Sequence, residues 1–220
     1  LANVSATASG GAVRLEGGAL NIRDSVFQGN ETGRSGGGIS IDTGTISVAD
    51  STISDNIAAR DGGGISASGS SVTMAGLDFS ANSARNGGAI SVSSGGSLTL
   101  SDSTVRDNIA LYDGGGLDQR DTPTTITDCT LSGNSTTIGS GGALYLYGSQ
   151  TTLQTVIFDN NAADDHGGAL YHNPDTTISA TSCDFSNNTP EDVYSTASGA
   201  QSSVGTGIDF ACDATTGCVF

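Results

Sequence analysis

Asp164, Asp165 and His166 stand side by side, and His172 follows close behind. Two carboxylates and an imidazole are what general acid–base catalysis draws on. With Asp118 they make the set a carbohydrate-active enzyme, a polysaccharide lyase or hydrolase, would use. Against this, the three neighbours occupy one turn before a glycine pair, where Asp and His are common turn formers, and the chain has no lysine. We therefore expect no catalytic residue. A second grouping, Asp118, Arg120, Tyr145, Tyr147 and Tyr171, combines charges with phenol rings. That chemistry suits recognition of a protein or a glycan at a surface. Asp24, Asp50, Asp102 and Asp128 recur in one turn column that Gly76 interrupts. They would either cap turns or offer oxygen ligands to Ca²⁺; no other cofactor and no fixed metal site is expected.

What positions these residues is a repeat. A Gly-Gly-small-aliphatic signature runs at Gly10 to Val13, Gly36 to Ile39, Gly62 to Ile65, Gly87 to Ile90, Gly114 to Leu117, Gly141 to Leu144 and Gly167 to Leu170. The second glycines are spaced by 26, 26, 25, 27, 27 and 26 residues. A second column keeps the same register, with Phe27, Ile53, Phe79, Val105, Leu131, Phe158 and Phe185 each three residues before Asn30, Asn56, Asn82, Asn108, Asn134, Asn161 and Asn188. Two columns in step define a solenoid that buries its core between neighbouring repeats.

Within a repeat the apolar residues alternate with a period of two, as in Ile39/Ile41, Ile46/Val48 and Leu98/Leu100, which is the strand signal. Three short strands and tight turns per repeat predict an all-β fold, a right-handed parallel β-helix of about eight coils of roughly 26 residues. Strands of successive coils would pair about 4.8 Å apart, so that identical positions form ladders. The Phe/Ile/Val/Leu column fills the lumen, the seven Asn form an amide ladder in a turn, and the glycines allow positive φ and close backbone approach. The column of His172 is the inward one of Leu15, Ile41, Ala67, Val92, Gln119 and Leu146, so a buried structural histidine is expected. An outward hydroxyl row, Ser47, Thr73, Thr99, Thr125, Thr152 and Ser179, is what an ice-binding face uses, although ordinary β-propensity also explains it.

The paired motifs, as in Gly87-Gly88-Ala89-Ile90, Gly141-Gly142-Ala143-Leu144 and Gly167-Gly168-Ala169-Leu170 with Phe27 to Asn30, Phe79 to Asn82, Phe158 to Asn161 and Phe185 to Asn188, resemble those of the polymorphic outer membrane proteins. That family comprises surface adhesins and autotransporters best known from chlamydiae. The resemblance covers residues 1 to about 188 and implies a β-helix displayed outside the cell, often in adhesion.

Seven Arg face 23 acids for a formal charge of −16, which makes nucleic acid and anionic membrane poor partners. No apolar run is long enough for a membrane span. Asn3 fits the Asn column one repeat early, so the chain is expected to start inside a longer array, and end-to-end stacking into oligomers or filaments is a corollary. Residues 1–188 form the β-helix and 189–220 an end piece in which Cys212 and Cys218 close a small disulfide loop. Cys129 and Cys183 share a column but sit two coils apart, about 9.6 Å by strand spacing, too far to bridge. The expected whole is a secreted or cell-surface structural or adhesive module.

Overall fold

The computed structural model describes residues 1–196, 200–202, 208–213 and 217–219, with side chains for 1–196 and for Phe210. Among the described residues there are strands and no helices. One lap runs through Ile39–Asp42, Thr45–Ala49, Thr52–Ser54 and Ile57–Ala58. Ile39, Ile41, Ile46, Val48 and Ile53 point inward and are buried, as alternation demands of a strand with one wet face. The three expected strands are thus joined by a fourth of two residues, repeated at 31–32, 83–84, 109–110 and 135–136. Its second residue, Thr32, Ala58, Ala84, Ala110 or Thr136, is buried, and its small size lets the chain turn tightly. Some corners straighten, so that Ile65–Ala75 runs as one strand of 11 residues.

The laps stack in parallel, about seven turns in all. Ile39, Ile65, Ile90, Leu117, Leu144 and Leu170 pair in succession. The lumen column from Phe27 through Phe79 and Val105 to Phe185 is likewise unbroken. The short step between Gly63 and Gly88 is made up at the next corner, where one extra residue lets Ser70 pair with Gly96.

The signature residues explain why the laps stay in register. The first glycine of each pair has positive φ, for example +65° at Gly62 and +61° at Gly87. The second has no room for a Cβ: one added at Gly37 would run into the carbonyl oxygen of Gly63. Each Asn side chain ties three coils together. Asn82 Oδ1 accepts from Asn56 N–H at 3.1 Å and Asn56 Nδ2 at 2.9 Å, while Asn82 Nδ2 donates to Ile53 O at 2.8 Å and Asn108 Oδ1 at 3.0 Å. The ladder ends where Asn188 Nδ2 donates to Asp192 Oδ1 at 2.8 Å.

Parallel pairing does not stop at Asn188, where the periodicity ends. Val193–Ser195 pairs in parallel with Leu170–His172, even though Pro190 and Glu191 stand where a glycine pair would be. The change to antiparallel pairing comes later, when Ala200–Ser202 folds onto 193–195 and Ile208–Asp213 onto 178–183. Phe210 is buried, its ring 5.9 Å from that of Phe185, so this return closes the lumen. The backbone sets Cys212 opposite Cys218; their side chains, and hence the expected disulfide, lie outside the described residues. Cys129 and Cys183 are both buried, Cys129 as a free thiol, and Val156 fills the pairing position next to Cys129. Burial pushes the Cys129 thiol up to about 11, which keeps it protonated and unreactive.

Candidate functional site

The first strand of each lap presents an outward column in which Asp118, Tyr145, Tyr171 and Tyr194 are successive register partners. Parallel register holds the rings of Tyr145 and Tyr171 4.8 Å apart at 6°, and those of Tyr171 and Tyr194 5.6 Å apart at 12°. At the Tyr194 end His166, from the loop of the Tyr171 lap, also stacks on Tyr194, its ring 3.9 Å away. Arg120 closes the other end with its guanidinium 4.8 Å from the Tyr145 centroid, a cation–π geometry. The ring faces are therefore occupied by one another, and the column offers solvent its phenol edges. Tyr147, the register partner of Arg120, is exposed beside it.

Asp118 does not belong to the accessible surface. Its side chain is 3 % exposed, with Arg120 Nε at 3.0 Å from Oδ1, while Arg120 Nη2 reaches Asp113 Oδ2 at 2.9 Å. Alternation in the strand shows that Asp118 points outward. It does not show that the loop carrying Asp113, together with Arg120, covers it. Burial pushes the Asp118 carboxyl up to about 7 against the pull of Arg120, and the charges of Asp113 and Asp61 push the same way.

A carboxyl raised from its ordinary 3.8 favours the fold in its protonated form. Its stabilising effect is complete below about pH 4 and is lost as pH rises through about 7. The gap corresponds to roughly 4 kcal/mol. Wild-type stability in urea should fall between pH 4 and 8, whereas Asp118→Asn should be nearly flat over that range and the more stable protein at pH 8. Parallel pH profiles of the two proteins would contradict this.

Asp118 is not brought together with Asp164, Asp165 and His166. Asp164 and Asp165 are exposed, and His166 occupies the loop two coils beyond that of Asp113, in the order Asp113, Ser140, His166 set by the backbone bonds. By strand spacing that separates the loop residues from the Asp118 level by about 9.6 Å. His166 instead lies between Asp165 Oδ1 at 3.4 Å and Glu191 Oε1 at 3.5 Å. No pocket forms among the described residues. His172 is fully buried in the inward column between Leu146 and Ser195, and burial pulls its pKa down.

Asp24, Asp50, Asp102 and Asp128 share a turn with φ between 48° and 52°. Asp tolerates this left-handed conformation better than most residues, which accounts for the column without a ligand. Among the described residues no three His, Cys, Asp or Glu side chains gather as a metal site. The hydroxyl row of Ser47, Thr73, Thr99, Thr125, Thr152 and Ser179 is in register, but the adjacent outward column mixes Arg23, Ala49, Ala75, Ser101, Thr127, Gln154 and Thr181.

One further column was not singled out by residue type. Arg34, Arg60 and Arg85 follow the small fourth strand in three successive laps, Arg60 N–H bonding to Arg34 O at 3.0 Å and Arg85 N–H to Arg60 O at 2.6 Å. All three are exposed, and none forms an ion pair among the described residues. Like charges one coil apart repel by about 1 kcal/mol per neighbouring pair in water. Their 26- and 25-residue steps, equal to those of the glycines, were the available signal.

No curated protein and no solved structure matches the chain. A family described as the right handed beta helix region matches it over residues 2–155 and again over 37–216. With its laps in parallel register and its lumen filled along the whole stack, the chain belongs to the right-handed β-helix family.

Proposed function

We propose that this β-helix is a polymorphic-outer-membrane-protein-type module, secreted or held at the cell surface, that acts by display. It presents a rigid row of side chains to a protein or glycan and performs no chemistry. The observation that carries this is the braced column on the first strand face. Arg120, Tyr145, Tyr171, Tyr194 and His166 stack on one another in register, with Tyr147 exposed alongside. Stacked rings immobilise side chains that would otherwise lose entropy on binding, so a partner meets a preorganised edge. Association of chains end to end belongs to the same proposal and would run through the first lap, since antiparallel strands already cover the edge of the last laps.

The test is binding to a glycan array and to intact cells. Tyr147→Ser, which removes only an exposed ring, should weaken binding about tenfold with an unchanged melting temperature; Tyr145→Ser/Tyr147→Ser/Tyr171→Ser should abolish it. Full binding by both variants would remove the column from the interface. Turnover of any polysaccharide by the wild-type chain would replace display with catalysis.

A further inference from the structure

We propose that Arg34, Arg60 and Arg85 form a rail that binds a linear acidic polysaccharide, at a site separate from the tyrosine column. Three of the chain's seven Arg occupy one loop column in consecutive laps, bonded backbone to backbone. The acids nearby form no ion pair with them among the described residues. Asp61 is engaged elsewhere, its oxygens taking Asn86 Nδ2 at 2.9 Å and Ser35 Oγ at 3.4 Å, and Glu31 is exposed on the fourth strand without an ion pair among the described residues. By contrast Arg14, Arg106 and Arg120 each bond to two acids. In a chain of net charge −16, three adjacent guanidiniums without an ion pair among the described residues can take external anions in bidentate fashion.

The setting selects the ligand class. Ile57, Ile109, Leu111, Tyr112 and Ile138 lie on the same side, in the fourth-strand row and the loop after it, and are half of the ten large hydrophobic residues exposed among the described residues. Arg85 lies over the Tyr112 ring at 5.3 Å and joins the rail to this apolar strip. Cations spaced one coil apart, about 4.8 Å, beside an apolar strip suit a thin chain whose anionic groups recur along its length and whose sugar rings carry apolar C–H faces. A duplex or an anionic membrane presents a broad negative surface, which the acids around the rail repel.

Binding is measured at low ionic strength to immobilised polygalacturonate and dextran sulfate, with neutral dextran and oligothymidylate as controls. The wild-type chain should bind at least one acidic polysaccharide and not neutral dextran; the responding probe shows whether carboxylate or sulfate is preferred. Arg34→Ser/Arg60→Ser/Arg85→Ser should lose about 30-fold in affinity, some threefold per contact, with an unchanged melting temperature because all three side chains are exposed. Replacing the three with Lys should lose less. Arg23→Ser, which removes an exposed arginine outside the rail, should bind the polysaccharides like wild type, so a loss confined to the triple variant reads the rail and not overall charge. No binding to either acidic polysaccharide, undiminished binding by the triple Ser variant, or equal affinity for oligothymidylate would overturn the proposal.

Discussion

Asn108→Ala is expected to cost roughly 3–5 kcal/mol, because it orphans buried groups in three coils at once. Asn108 Oδ1 accepts from Asn82 N–H at 2.9 Å and from Asn82 Nδ2 at 3.0 Å. Its own Nδ2 donates to Phe79 O at 3.2 Å, Arg106 O at 2.9 Å and Asn134 Oδ1 at 3.0 Å. Alanine removes all of these, and Asn82 and Asn134 are fully buried, so water cannot substitute. Asp at the same position is no remedy: its oxygen could still accept from Asn82, but its other oxygen would face Phe79 O and Asn134 Oδ1, acceptor against acceptor. Urea unfolding at neutral pH measures the loss. A change below about 1 kcal/mol would mean that the amide ladder is not sealed from solvent.

The second large effect is expected at Gly88. A Cβ there would run into Gly115 O and lie 2.7 Å from Ile109 N and 2.8 Å from Ile109 C. All three are backbone atoms of the next lap, so no rotamer change relieves the contact and two coils must part. Gly88→Ala should therefore cost about 3–5 kcal/mol or prevent folding, at the upper end of overpacking effects. Gly95→Ala is the control, with φ of +83° and open space around the added atom. It should cost only the left-handed penalty of about 1–2 kcal/mol. Comparing soluble yield and melting temperature separates them, and equal losses would mean that close approach between laps is not what the second glycine provides.

How much of this was legible in the sequence depends on what each residue reports. The Gly88 and Asn108 columns recur at the coil period, and each encodes a contact with the coil above, so the stack followed from spacing alone. Alternation likewise placed Phe79, Val105 and His172 inside. It could not place Asp118, since a period of two distinguishes inward from outward and is silent about a loop folding back over the outward face. The two-residue strand after each Asn was illegible because alternation over two residues is no pattern. Val193–Ser195 is not legible as a continuing lap because Pro190 and Glu191 take over the place of the glycine pair. Tyr194, lying 23 residues beyond Tyr171, was lost for the same reason. The Arg34, Arg60 and Arg85 column was legible in its spacing, but the absence of ion pairs among the described residues, which gives it meaning, belongs to the folded chain.

Stacking of laps underlies the tyrosine column and the arginine rail alike, and distances between spin labels along the hydroxyl row test it most directly. Labels introduced through an unnatural amino acid at Ser47 and Thr152, and at Ser47 and Ser179, leave the native cysteines in place. Four and five lap steps should separate the paired backbone sites by about 19 and 24 Å, so the measured distance should lengthen by one strand spacing between the two pairs. Equal distances for the two pairs, or a shorter one for Ser47 with Ser179, would contradict the stack.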